Sequence, residues 1–239
     1  MDKHILIDGD VIAYRLSFKC KDMTDEQEVL LEVRDFFSNL YNYIDPFNLY
    51  EKHVYLTGKG NFRYDIAKVS IYKGNRKDTP KPTWLSFVRQ VILDQYRAIL
   101  SNGFEADDLI AMAANKHGYN SVVIVSTDKD FNQLPVTIYN LTKGEFTTIS
   151  KVDAIRNFYK QVLMGDRVDN IFGIYGIGPV KAEKILAGLT TEIEMYQACL
   201  EAYEELDTFK EYTPVERVHE NAKLLFLLRN IGEMWEPPI

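Results

Sequence analysis

Cysteine is scarce in this chain of 239 residues: Cys20 and Cys199 are the only two, and they lie far apart. They cannot build a disulfide scaffold or a thiolate zinc site, and they fit a reducing compartment. Long apolar runs are also missing. Val122–Val125 and Leu224–Leu228 fall far short of the roughly 20 residues that span a bilayer. No basic and apolar leader comes before the strand-like ILID near the start, so a secretory signal is not expected and a cytoplasmic location is. Histidine is thinly spread as His4, His53, His117 and His219, which read as structural or solvent-facing residues.

The remaining composition is that of a folded domain. Hydrophobic residues make up 46% and charged residues 26%, enough for one large domain or a domain with a smaller helical appendage. The net charge of −7 hides an asymmetry. From Thr190 to the end there are 11 acids against 4 bases, so the preceding part is neutral with 24 of each. Within that part, Lys59, Arg63, Lys68, Lys73, Arg76, Lys77 and Lys81 face only Asp65 and Asp78, a local +5. A basic stretch alongside clustered acids suits a polyanion together with divalent cations.

Periodicity sets the fold class. His4–Ile7, His53–Thr57, Ser121–Ser126 and about Val136–Tyr139 read as short strands. Between them, Thr24 is positioned to cap a helix running to Ile44, and Trp84 to Leu100 reads as a second helix. Glu105–His117 reads as a third, stopped by Gly118. Strands alternating with helices predict an α/β fold with a mostly parallel sheet. After Ser150 the pattern is helical to the end. The expected division is a core over 1–150, with a basic segment at about 59–82, and a helical part over 151–239.

Three constellations carry chemistry. Nine acids fall at strand ends or helix starts: Asp8 and Asp10, then Glu105, Asp107 and Asp108, then Asp128 and Asp130, and finally Asp166 and Asp169. Singly each group could be a turn or a helix cap. If they converge, each like-charged pair near 4 Å costs on the order of 4 kcal/mol at an effective dielectric of 20, so cations are needed. Ligand sets made of oxygen alone favour Mg²⁺ or Mn²⁺ over zinc. Next, Gly173-Ile-Tyr-Gly-Ile-Gly-Pro-Val-Lys-Ala reads as a tight turn opening a helix, with Gly176, Gly178 and Lys181 able to hold a phosphodiester backbone without reading bases. Last, Tyr72-Lys73-Gly74-Asn75-Arg76 combines an aromatic that can stack a base with cations for phosphate.

The ordered motifs ILIDGD, YKGNRK, GFEADDLIA, STDKDF and GDRVDNIFGIYGIGPVKA resemble the 5′-nuclease superfamily of flap endonucleases and 5′→3′ exonucleases, most of all the small stand-alone enzymes of bacteriophages. The resemblance implies a PIN-like core, a basic arch or clamp, and a helix-three-turn-helix motif over 173–187. It implies two-metal hydrolysis of DNA at 5′ ends, flaps or junctions, with Mg²⁺ or Mn²⁺ as two or more ions and K⁺ at the glycine hairpin. Asp8, Glu105, Asp107, Asp108, Asp128 and Asp130 resemble the ligands of the tighter metal, and Asp166 and Asp169 those of the second. Lys73 resembles the lysine that activates the scissile phosphate, Arg76 its cationic companion, and Tyr72 the residue stacked on the terminal base. Gly176, Gly178 and Lys181 fall in the duplex-binding turn. A monomer is expected, in host cytoplasm if the source is viral.

One position departs from the pattern. Where many members carry an aspartate after the second strand, this chain has Thr57-Gly58, so the first metal site is one ligand lighter unless Asp10 or Asp65 compensates. Two other readings stay open: a non-catalytic junction-binding relative, and an RNA-directed nuclease that acts on RNA–DNA hybrids.

Overall fold

A computed structural model describes residues 3–77, 79–209 and 211–239, and Asp78 of the basic stretch lies outside them. The chain packs as two compact units. One is made of residues 1–60, 80–128 and 136–148, the other of 61–79, 129–135 and 149–239.

The first unit is built on a six-stranded sheet in the order β3-β2-β1-β4-β5-β6. The strands are β1 (His4–Asp8), β2 (Glu51–Lys59), β3 (Ile99–Asn102), β4 (Val122–Val125), β5 (Thr137–Asn140) and β6 (Glu145–Thr148). Neighbours are parallel except β6, which returns antiparallel on β5. The α/β class with a mostly parallel sheet is thus observed. β1 is buried at every position, which explains its unbroken apolar run.

Four helices complete this unit: α1 (Gly9–Lys19), α2 (Glu26–Ile44), α4 (Leu85–Gln95) and α5 (Ala106–His117). Between them in sequence comes α3 (Arg63–Ile66), which belongs to the second unit. α2 begins after Asp25, whose side chain accepts from Gln27 N–H, rather than after Thr24. It buries Val29, Val33, Phe37, Leu40 and Ile44 on one stripe. The helix expected over Trp84–Leu100 stops at Gln95. Ile99 and Leu100 instead begin β3, the sheet's edge strand paired to β2, where they remain 44% and 48% exposed.

The second unit is mainly helical: α3, α6 (Lys151–Met164), α7 (Pro179–Ile185), α8 (Glu192–Leu206) and α9 (Pro214–Leu225), with a small antiparallel pair, β7 (Gly165–Asp166) and β8 (Ile171–Phe172). Glycine is required where this pair closes. A Cβ on Gly173 would lie 2.1 Å from the Met164 carbonyl carbon, and one on Gly165 would lie 2.2 Å from the Ile171 oxygen. The helical spacing of Val215, Val218, Ala222, Leu225 and Leu228 predicts that all five pack as core; the last four are buried, whereas Val215, in the first turn of α9, is 46% exposed.

Two arginines counted as charge are interior supports. Arg63 is 2% exposed and donates to the Leu224 and Phe226 carbonyls at 2.8 and 2.9 Å, so it satisfies the end of α9 and adds nothing to a basic surface. Arg217 is 1% exposed; its Nε donates to Asp207 Oδ2 at 2.9 Å and its Nη2 to the Phe172 carbonyl at 2.9 Å. Removing one partner of a buried pair leaves an uncompensated charge, a loss of about 3–5 kcal/mol. Arg217→Leu is therefore expected to lower the unfolding free energy by that amount in urea titrations.

Candidate functional site

The carboxyl edge of the first unit's parallel strands collects acids. Asp8 ends β1 and caps α1: its Oδ1 accepts from Val11 N–H at 3.1 Å and its Oδ2 from the Ser126 hydroxyl at 2.7 Å. The same hydroxyl accepts from the Asp128 N–H at 3.0 Å, so Ser126, fully buried just past β4, fixes both aspartates. In the sequence Ser126 reads only as the last residue of the strand Ser121–Ser126, because its partner Asp8 is 118 residues away.

Burial pushes the Asp8 carboxyl up to about 7; the Ser126 and Val11 bonds oppose the rise, and the charges of Asp10 and Asp128 add to it. A carboxylate in that position is ionised at neutral pH only at a cost that a neighbouring cation removes. The donors are all oxygens, a set that suits a hard divalent ion.

Glu105, Asp107 and Asp108 open α5 at the same edge. Glu105 and Asp108 form a reciprocal capping box, with Glu105 N–H donating to Asp108 Oδ2 at 3.1 Å, and Asp108 N–H also donates to Asp107 Oδ1 at 2.7 Å. Capping and site formation coincide here, since the box fixes the carboxylates where β3 hands over to the helix. Thr57 Oγ1 accepts from Ala106 N–H at 3.0 Å and ties that helix start to the end of β2.

The Thr57-Gly58 departure has a structural cause. A Cβ on Gly58 would lie 2.1 Å from the Ser101 carbonyl oxygen, so no side chain fits there without a backbone shift. Asp10 fills part of this region: its Oδ2 accepts from Thr57 N–H at 2.8 Å and its Oδ1 pairs with Arg89 of α4, which also donates to the Thr57 carbonyl. Arg89 escaped sequence reasoning because it reads as the polar face of an amphipathic helix. Asp65 is exposed in α3 of the second unit.

The second unit holds the remaining acids. Asp130 Oδ1 accepts from the Gln161 amide of α6. Asp166 is 5% exposed, pairs with Lys129 at 2.7 Å, and accepts from Val168 N–H at 2.7 Å and Asp169 N–H at 3.3 Å. Asp169 pairs with Arg76, lies 3.7 Å from Lys73 Nζ, and accepts from the Tyr72 hydroxyl at 2.9 Å.

The segment 70–76 is thus fastened along 166–170. Asn75 donates to the Arg167 carbonyl at 2.7 Å, Arg76 Nε to the Val168 carbonyl at 3.0 Å, and Lys73 N–H to the Asp169 carbonyl at 2.8 Å. Lys73 is held at φ 54°, a left-handed conformation that costs a residue with a Cβ on the order of 1–2 kcal/mol. The expectation that Tyr72 offers an open stacking face meets a correction. Its ring is 3% exposed, belongs to the second unit's core, and has its hydroxyl committed to Asp169.

The glycine turn between α6 and α7 is exposed at its tip, with Tyr175 at 89% and Val180 at 83%. Gly176 takes φ 77°, Gly178 caps α7, and Pro179 occupies its first turn. Lys181 reaches back so that its ammonium would lie 3.9 Å from a Cβ on Gly176.

The first unit is thus an α/β fold with acidic side chains along the carboxyl edge of its parallel strands. The chain belongs to the family of 5′-3′ exonuclease N-terminal resolvase-like domains, whose model matches residues 3–160. A 5′-3′ exonuclease of Mycoplasmopsis pulmonis is 30% identical over 77% of this chain and 66% of its own length. DNA polymerase I of Bacillus subtilis is 29% identical over 99% of this chain and 28% of its own length. The chain spans about a quarter of the polymerase sequences that it matches. In fold it is similar to the T5 D15 protein co-crystallised with metal ions, with a TM-score of 0.69 and 19% identity over 93% of this chain and 89% of that one. It is also similar to the catalytic core of Rad2 in complex with DNA substrate, with a TM-score of 0.51 and 13% identity over 85% and 66%. Among the described residues, no helix is long and apolar enough to cross a membrane.

Proposed function

We propose that this chain is a structure-selective 5′-nuclease that hydrolyses DNA phosphodiesters at 5′ ends, flaps or junctions. The observation that carries the reading is the carboxylate edge around Asp8, a buried acid pushed to about 7 with further acids beside it. The name of the Mycoplasmopsis relative, a 5′-3′ exonuclease, supports it.

Asp8, Glu105, Asp107, Asp108 and Asp128 would hold Mg²⁺ or Mn²⁺ in the first unit, and Asp130, Asp166 and Asp169 would do so in the second, for two or more ions. When bound, such ions lower the pKa of a coordinated water and stabilise the charge of an in-line displacement at phosphorus. The chain's own residues orient the rest. Ser126 holds Asp8 and Asp128 in register, and Arg89 balances Asp10 so that the edge is not over-charged. Lys73 and Arg76, both set on Asp169, supply cationic stabilisation for a phosphate. Tyr72, with its hydroxyl on Asp169, positions that pair. The turn at Gly176 and Gly178 brings backbone close to a duplex phosphate, its carbonyls suit K⁺, and Lys181 adds charge. The protein would act as a monomer on DNA, with RNA–DNA hybrids as a second substrate, in the cytoplasm.

Two measurements test this. Matched DNA and RNA strands annealed to DNA are expected to be cleaved in Mg²⁺ and left intact in EDTA, with DNA preferred; cleavage that persists in EDTA would overturn the metal assignment. Lys181→Ala is expected to weaken duplex binding about equally across sequences and to reduce the slope of log K against log salt by about 1. An unchanged slope would remove Lys181 from the interface.

A further inference from the structure

The first unit contains a second cluster of metal-ligating side chains, chemically unlike the carboxylate edge. His4 begins β1, His53 lies in β2, and His117 ends α5. Sequence spacing scatters them, but the fold does not. His4 pairs in register with Glu51, two residues from His53, so these three side chains share one face of the sheet. α5 packs against β1 and β2. One ligand atom from each histidine lies within 4.8 Å of the others. The rings of His4 and His117 are 3.7 Å apart between centroids, and His53 lies 5.7 and 6.1 Å from them.

Two observations point to a missing ligand. His4 is 8% exposed, and its Nδ1 and the His53 Nε2 are buried nitrogens without a hydrogen-bond partner. Buried polar atoms are rarely left in that state, and each costs about 1–3 kcal/mol unless something fills it. Both nitrogens also face the same carboxylate oxygen, Glu51 Oε2, at 3.5 Å each. That places one carboxylate beside two of the three imidazoles.

We propose that His4, His53, His117 and Glu51 form a structural site for a zinc-class divalent ion, separate from the proposed nuclease centre. Imidazole nitrogens with one carboxylate oxygen are a zinc, cobalt or nickel donor set, whereas magnesium prefers oxygen alone. Tetrahedral coordination at 2.0–2.1 Å needs nitrogens about 3.4 Å apart, a contraction that side-chain rotation supplies. Burial, then the charge of His4, keeps His53 and His117 below the ordinary imidazole range, which leaves their lone pairs available.

The site belongs to the opposite edge of the sheet. His4 precedes Asp8 by four strand residues, about 13 Å. His117 and Glu105 sit at the two ends of α5, about 18 Å apart. With four protein ligands no position is left for substrate, as in structural zinc sites. Its effect is to clamp the last turn of α5 to the starts of β1 and β2, and so to hold the helix whose first turn carries Glu105, Asp107 and Asp108.

The test titrates Zn²⁺ alone into the chelator-stripped full chain, followed by calorimetry and thermal unfolding, with Co²⁺ as a spectroscopic substitute. One tight equivalent that persists in Asp8→Asn/Asp128→Asn is expected, whatever weaker zinc the carboxylate edge adds in the wild type. Tm should rise by roughly 5–10 °C at a free zinc concentration a hundredfold above Kd, and Co²⁺ should show the visible bands of a tetrahedral site. His117→Gln and, separately, His53→Gln should weaken binding at least about a hundredfold and lose the Tm rise, with metal-free circular dichroism unchanged. Zinc bound equally well by His117→Gln, lost only in the aspartate double variant, or not bound at all would overturn the proposal.

Discussion

Replacing Lys73 by alanine is expected to lower turnover on a 5′-flap DNA by roughly 10²–10³-fold, the scale of removing one fixed electrostatic donor. The same loss is expected for Lys73→Gly. The pair of variants matters because Lys73 sits at φ 54°. Glycine adopts that conformation without strain, while alanine keeps the Cβ that makes it costly. If the ammonium carries the role, both variants lose turnover alike and retain their thermal unfolding. If Lys73 only shapes the backbone between Tyr72 and Gly74, glycine restores most of the activity, and the electrostatic assignment is wrong. Lys73 lies 3.7 Å from Asp169, which also holds Arg76 and the Tyr72 hydroxyl, so Arg76→Ala is expected to show a smaller loss in the same assay.

Asp8→Asn has the second large effect, in opposite directions for stability and activity. Burial pushes the folded Asp8 carboxyl up to about 7 from an ordinary 3.8, worth roughly 4 kcal/mol. For a carboxyl raised in the folded state, stability is full below the unfolded pKa and falls as pH rises toward the folded one. The metal-free wild type should therefore lose up to about 4 kcal/mol between pH 4 and pH 7. The asparagine variant, with no charge to bury, should not lose it. Denaturant titrations in EDTA are expected to show the variant equal to the wild type near pH 4 and more stable at pH 8. Added Mg²⁺ should stabilise only the wild type, and cleavage by the variant should fall more than about a hundredfold, beyond the cost of disturbing a metal's outer partners. A variant less stable at pH 8 would contradict the burial argument. Such a trade between stability and function is common where an active site concentrates like charge.

Much of the fold was legible because β1 and β4 are short apolar runs and the stripe on α2 repeats at helical spacing. What failed was local. α1 was missed since Asp8-Gly-Asp reads as a turn, yet Asp8 is its cap and Gly9 its first residue, where a Cβ would lie 2.5 Å from the Tyr55 carbonyl oxygen. β6 is exposed at all four positions, so it shows no alternation to read. Ile99 and Leu100 continued a helical spacing that tertiary pairing with β2 overrode. The acids of the first unit were legible because Asp8 ends β1, Glu105 caps α5 and Asp107 and Asp108 lie in its first turn, whereas Asp166 and Asp169 lie in and just after the short β7. Their supports, Ser126 and Arg89, were not, because what matters about them is which distant residue they touch. The same holds for Arg63 and Arg217, charges by composition and interior struts by contact, and for the three histidines brought together from separate elements.

The central claim is that the carboxylates make this chain a metal-dependent 5′-nuclease rather than a binding relative. The most direct measurement uses a 5′-flap DNA and its matching blunt duplex, labelled separately at each end, with Mg²⁺, with EDTA, and with Asp130→Ala. Short 5′-derived products that require Mg²⁺ and vanish in the variant are the predicted result. Salt-sensitive binding without cleavage, even in Mn²⁺, would contradict it and would make the missing carboxylate at Thr57-Gly58 decisive.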